Sequence, residues 1–215
     1  MTRAALIEHR PWLLASLVAA ISYYVARDMP IPGVQLALLK GLGVALLAVY
    51  CLVRAPGSDG RLIAAVMAFG AIGDIGIEFS FIAGGGAFFV AHLIAVALYL
   101  RNRRPQPSGS QRLAALALLL ATPLVSWLLS RDLAVTLYAS GLGAMAATAW
   151  LSRFGRYRVG TGAVLFVVSD WLIFSRMGAF DLAPLPDLLI WPLYYFGQFL
   201  IATGVVQTLR RHAPR

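Results

Sequence analysis

A chain of 215 residues that is 60% hydrophobic and 13% charged, with a mean hydropathy of +0.78, is too apolar for an ordinary soluble domain, where about a quarter of residues are charged. The net charge of +9 does not point to nucleic acid, because the arginines fall in short clusters between apolar runs and make no basic, aromatic-interleaved face. A single cysteine, Cys51, rules out an intrachain disulfide and a cysteine-based metal cluster.

The pattern predicts an all-α, polytopic membrane helix bundle, since about 20 apolar residues cross a bilayer. Eight runs qualify, at roughly 11 to 26, 33 to 53, 61 to 82, 85 to 100, 112 to 130, 133 to 152, 158 to 176 and 188 to 209. The first resembles a signal peptide, with Arg3 and Arg10 ahead of it, but no A-x-A site precedes Arg27, so it reads as an uncleaved span. Ala83-Gly84-Gly85-Gly86 is expected to form the tight turn between spans three and four, where glycine permits positive φ. The segment 101–112 is the one linker-like stretch. It divides a single membrane domain, 1–215, into halves 1–104 and 112–215 of four spans each, with Asp74 and Asp170 on the third span of each half, the arrangement of a parallel repeat.

Arginine placement tests the count. With eight spans, Arg3, Arg10, Arg54, Arg61, Arg101, Arg103, Arg104, Arg112, Arg153, Arg156, Arg158, Arg210, Arg211 and Arg215 share the side of the N-terminus, and Arg27, Arg131 and Arg176 lie opposite. The positive-inside rule then places both termini in the cytoplasm. The expected location is a bacterial inner membrane.

Polar side chains inside the apolar runs mark the candidate site. Asp74 and Asp170 each interrupt an apolar span, and an intramembrane acid is costly unless it meets a partner or a polar cavity. At 1.5 Å per residue, Lys40, Asp74 and His92 fall about 10 to 12 Å below the outer ends of spans two, three and four. Asp170, on span seven, and Tyr194, Tyr195 and Gln198, on span eight, fall about 9 to 15 Å deep. Five spans thus deliver polar groups to one layer. Lys40, the only lysine, lies too deep to snorkel comfortably and reads as a buried, paired cation. Glu78, one turn beyond Asp74, reads as a rim residue. Trp191, Tyr194 and Tyr195 also fit an interfacial aromatic belt. Gly70, Gly73 and Gly76 leave one flank of span three bare for close helix approach.

No G-x-x-x-x-G-K-[ST], G-x-S-x-G or H-E-x-x-H motif occurs, which removes the simplest nucleotide, serine-hydrolase and zincin readings. His9, His92 and His212 are not spaced to share a metal. Asp74, Glu78, His92 and Asp170 have the side-chain types of a carboxylate/imidazole metal site, but the reading adopted needs neither metal nor cofactor.

Several pieces together resemble the YhhN-type lysoplasmalogenase family: Lys40; Gly73-Asp74; Gly86-Ala87-Phe88; Ala91-His92-Leu93; Gly162-Ala163 with Leu165-Phe166 and Ser169-Asp170; and Trp191-Pro192-Leu193-Tyr194-Tyr195 with Gln198, Leu200-Ile201-Ala202 and Gly204. The chain departs from that pattern at Gly41, where a proline is common, and at Ala95, where a tyrosine is common. Glu78 is outside the pattern. The resemblance implies an eight-span enzyme that hydrolyses the vinyl-ether bond of lysoplasmalogens, a lysophospholipid substrate held in the bilayer, releasing a fatty aldehyde and a glycerophospho-base.

Such a bond breaks after protonation of its β carbon, giving an oxocarbenium ion that water captures. The reaction needs a carboxylic acid that keeps its proton near neutral pH, which low-dielectric burial and a second carboxylate favour. Asp74 and Asp170 are expected to supply the pair, in the division of labour of glycosidases. Lys40 pairs with the ionised aspartate or binds phosphate, and His92, Tyr195 and Gln198 orient water and glycerol oxygens. Two competing classes are a proton-coupled transporter, since paired acids with a lysine also describe a relay, and a non-catalytic lipid-binding protein whose polar layer glues helices together. Against transport, Pro123 and Pro192 are not equivalent positions of two halves.

Overall fold

The computed structural model describes residues 10–178, 180 and 182–211; the readings of Arg3, His9, His212 and Arg215 fall outside them. Among the described residues there are eight helices and no strand: α1 (Arg10–Ala26), α2 (Gly33–Arg54), α3 (Gly57–Gly76), α4 (Phe81–Arg101), α5 (Gly109–Ser130), α6 (Leu133–Leu151), α7 (Thr161–Ser175) and α8 (Leu185–Arg211). Six are long and apolar enough to cross a membrane, α7 counting with the π-helical turn Arg156–Gly160 that leads into it. Of the others, α1 is apolar but has 17 residues, and α3 holds Asp59, Arg61 and Asp74 within its 20.

The side-chain distribution is that of an integral membrane protein. On α5, Leu113, Leu116, Leu120 and Leu124 are exposed along one face, while Gln111, Ala115, Thr122, Ser126 and Ser130 are buried on another. In water that arrangement would be inverted. In lipid the small and polar residues belong between helices. The hydroxyls of Thr122, Ser126 and Ser130 donate to the carbonyls of Leu118 at 2.6 Å, Thr122 at 2.7 Å and Ser126 at 2.8 Å, so none is left unsatisfied.

Local chemistry sets the helix ends. Ser108 and Gln111 form a reciprocal capping box, which starts α5 at Gly109 rather than near residue 112. Arg131, at φ 55°, turns the chain out of α5, and Asp132 caps α6 through the Val135 N–H at 3.1 Å.

Two compact units are present, 1–94 with 206–215, and 95–205. In the first, α1 packs on α2 and α2 on α3. Ser16 Oγ donates to the Gly43 carbonyl at 2.6 Å, and a β carbon at Gly41 would stand 2.5 Å from Ile75. The glycine turn expected at residues 83 to 86 is not a turn. Those residues are helical, inside the first turns of α4, and the chain reverses six residues earlier, at 77–80. The glycines serve packing instead: a β carbon at Gly84 would lie 2.5 Å from the Ile77 nitrogen, one at Gly76 3.2 Å from Gly84, and one at Gly73 2.8 Å from the Phe88 ring.

In the second unit α5, α6 and α7 pack together. Gly162 and Gly197 bring α7 and α8 into backbone contact, each added β carbon meeting the other's carbonyl at 2.6 to 2.7 Å. The α4–α5 and α6–α7 connections lie side by side: the Arg153 N–H donates to the Asn102 carbonyl at 2.7 Å, the Arg104 N–H to the Leu151 carbonyl at 2.8 Å, and Arg153 Nε to Asn102 Oδ1 at 2.8 Å. α5 and α8 run through Pro123 and Pro192 as continuous helices.

Candidate active site

The first unit holds a cluster built around Lys40. This lysine enters from α2, seven residues past Gly33, and Nζ donates to Glu78 Oε1 at 2.6 Å. The Tyr23 ring of α1 lies 5.7 Å from the same ammonium, within cation–π range. Asp74 is buried, and its charge acts on both Lys40 and Tyr23. An ammonium, two carboxylates and a phenol from α1, α2, α3 and the 77–80 turn therefore occupy one neighbourhood. His92 is buried on α4, one turn beyond the Phe88 that covers Gly73.

Two positions differ from the sequence-based expectation. Because α3 stops at Gly76, Asp74 sits in its last turn, two residues from the end, and not about eight residues deep. Glu78 is not on the same helix face one turn further on. It lies in the turn, and its carboxylate takes a lysine hydrogen bond. The cause is the early helix end: Phe79 and Ser80 N–H groups both bond back to the Gly76 carbonyl, which closes α3 and swings Glu78 towards α2.

The second unit holds Asp170. It is buried on α7, and Tyr138 of α6 donates its hydroxyl to Oδ2 at 2.8 Å. The Tyr138 ring packs edge-on against Phe174, among Val135, Ala139 and Trp171. A polar pair is thus enclosed in apolar side chains. On α8, Trp191, Tyr194 and Tyr195 are buried, so they are not a surface belt. Tyr194 meets the Phe166 ring edge-on at 5.1 Å and Trp191 stacks on Tyr195 at 6.0 Å. Gln198, also buried, lies 3.4 Å from the Tyr194 hydroxyl. Ser169, next to Asp170, donates to the Ile190 carbonyl at 2.9 Å and ties α7 to α8.

Tyr23 and Tyr138 escaped the sequence analysis because a tyrosine in an apolar run reads as packing. A signal existed: Tyr23 lies three residues from the end of α1 and Tyr138 five from the start of α6, much as Asp170 lies five from the end of α7. Among the described residues, no three His, Cys, Asp or Glu side chains gather as metal ligands.

The model of the YhhN family matches residues 35–205. The chain belongs to the YhhN family. The matched range contains every polar residue of the two clusters except Tyr23. Two relatives, each named Lysoplasmalogenase, come from Mycobacterium bovis and Mycobacterium tuberculosis. Each is 32% identical over 173 residues, covering 74% of this chain and 66% of its own length. The match to this YhhN protein thus spans just under two thirds of those relatives. No solved structure matches it.

Proposed function

We propose that this protein is a membrane-embedded hydrolase that cleaves the vinyl-ether bond of a lysoplasmalogen, yielding a fatty aldehyde and a glycerophospho-base, without metal or cofactor. The supporting observation is the buried Tyr138–Asp170 pair, inside a chain whose relatives carry the name Lysoplasmalogenase. A carboxyl enclosed in apolar side chains suits a proton donor, because burial disfavours its charged form, and the Tyr138 hydroxyl fixes its position. Asp74, near the Lys40 ammonium, suits a carboxylate that stays ionised. Each role follows from that acid's own neighbours.

In this mechanism Asp170 protonates the β carbon of the vinyl ether and the double bond becomes an oxocarbenium ion. Asp74 offsets the positive charge and orients a water, whose oxygen bonds to the cationic carbon while its proton returns a carboxyl to the acid form. The hemiacetal then loses the glycerol oxygen as an alcohol, leaving the aldehyde, so one water is consumed per turnover. His92, Tyr194, Tyr195 and Gln198 hold the water and the glycerol oxygens. The enzyme occupies a bacterial inner membrane with eight crossings and cytoplasmic termini.

The test is aldehyde release from lysoplasmalogen by membranes containing Asp74→Asn or Asp170→Asn. General acid–base contributions run to about 10²–10⁴-fold, so each variant is expected to lose at least about 100-fold. Wild-type rates in both variants, with normal folding, overturn the two-acid mechanism.

A further inference from the structure

Glu78 has no part in the hydrolytic steps, yet it holds the chain's lysine in a salt bridge that water and lipid can reach: the side chains of Lys40 and Glu78 are 16% and 37% exposed. The chain next to Glu78 is apolar: Phe79, in the 77–80 turn, and Phe81 and Ile82, which open α4, are exposed, as are Val34 and Leu38 on a different face of α2 from Lys40. Val34 and Leu38 precede Lys40 on α2, so the ion pair lies about 10 Å inside the Gly33 end of that helix at 1.5 Å per residue. A charged pair set among lipid-facing side chains has the layout of an amphiphile's own polar–apolar junction.

We propose that Lys40 and Glu78 form the headgroup site and select a zwitterionic phospho-base over an anionic headgroup. The inference rests on the lysolipid reading above and assigns a specificity role to the same region. A phosphate-and-ammonium headgroup is a dipole, and it exchanges partners with a dipole laid against it: phosphate to Lys40, ammonium to Glu78. The Tyr23 ring, already 5.7 Å from a cation, offers its face to a quaternary or primary ammonium. The exchange pairs both headgroup charges and leaves Asp74 beside Lys40 as before. An anionic headgroup would gain Lys40 but bring no cation for the Glu78 carboxylate that the exchange releases. Glu78 is therefore the repulsive element that specificity requires, and like charges brought together are penalised even where solvent screens them in part.

The experiment uses purified full-length protein in detergent and non-hydrolysable 1-O-alkyl lysophospholipids carrying ethanolamine, choline or glycerol headgroups. Binding is followed by intrinsic tryptophan fluorescence. The wild type is expected to bind the zwitterionic lipids about tenfold more tightly than the glycerol lipid. Glu78→Gln should abolish the preference by tightening the glycerol lipid and weakening the others. Lys40→Met should weaken all three, and Glu78→Asp should restore part of the preference, which a purely structural salt bridge would not do. Equal binding of the three lipids by the wild type, or an unchanged preference in Glu78→Gln, overturns the headgroup site and leaves the hydrolase reading intact. A headgroup preference that depends on Glu78, with no aldehyde released from any lysoplasmalogen, keeps the site and sinks the hydrolysis instead.

Discussion

A single hydroxyl, that of Tyr138, decides whether the Asp170 carboxyl is satisfied where it is buried. Removing one partner of a buried hydrogen bond strands the other, at about 1–3 kcal/mol. Tyr138→Phe keeps the ring against Phe174 and deletes only the hydroxyl. The expected result is a fall of about tenfold or more in the rate of aldehyde release, with a small loss of thermal stability in detergent. Tyr157→Phe, at a tyrosine that is 74% exposed, should change neither. Equal rates for the Tyr138 variant and wild type would remove the tyrosine from the site. The acids themselves were legible from sequence because a charge in an apolar run is conspicuous. Tyr138 and Tyr23 were not, because an aromatic side chain with one polar atom satisfies a packing explanation until its partner is known.

At the scale of helices, the α3–α4 hairpin carries the main departure from the sequence pattern. Consecutive glycines suggest a turn because they tolerate any φ, but a glycine also lets backbones touch, and that use prevails here. Six of the eight helices begin and end within about three residues of their expected bounds; the displaced boundary, between α3 and α4, is the one where turn and packing glycines look alike. The two uses predict opposite mutational responses. Gly84→Ala would place a methyl 2.5 Å from the Ile77 nitrogen and 2.6 Å from its α carbon. Backbone cannot give way like a side chain, so overpacking should cost about 1–3 kcal/mol. It should also move the turn that bears Glu78, weakening zwitterionic lipid binding. At Gly85 and Gly86 an added β carbon meets nothing within 4 Å. Alanine there should be neutral or stabilising by up to about 0.5–1 kcal/mol through helix propensity. Thermal unfolding of the three variants checks this, and comparable destabilisation at all three positions would contradict the packing assignment.

For the whole molecule, the question is whether α1 and α3 cross the membrane with the six longer or more apolar helices. α3 has the length of a span, and its polar residues lie at its two ends, Asp59 and Arg61 near one and Asp74 near the other, so its apolar middle remains. The connections bearing Arg103, Arg104 and Arg153 are hydrogen-bonded together, as two crossings by α5 and α6 require; that observation does not bear on α3. If α3 crosses, the α1–α2 connection and the α4–α5 connection lie on opposite sides, because three spans separate them. If α3 does not cross, two spans separate them and they share a side. Asp28→Cys and Gln106→Cys, both at exposed positions, report the difference to a membrane-impermeant maleimide, and the native Cys51 is buried and should stay silent. With all eight helices crossing and the arginine-rich side inward, Asp28→Cys labels in intact cells and Gln106→Cys labels only after permeabilisation. Labelling of both under the same condition would take α3 out of the membrane. It would also place the Lys40–Glu78 pair at the end of a helix that does not span the bilayer.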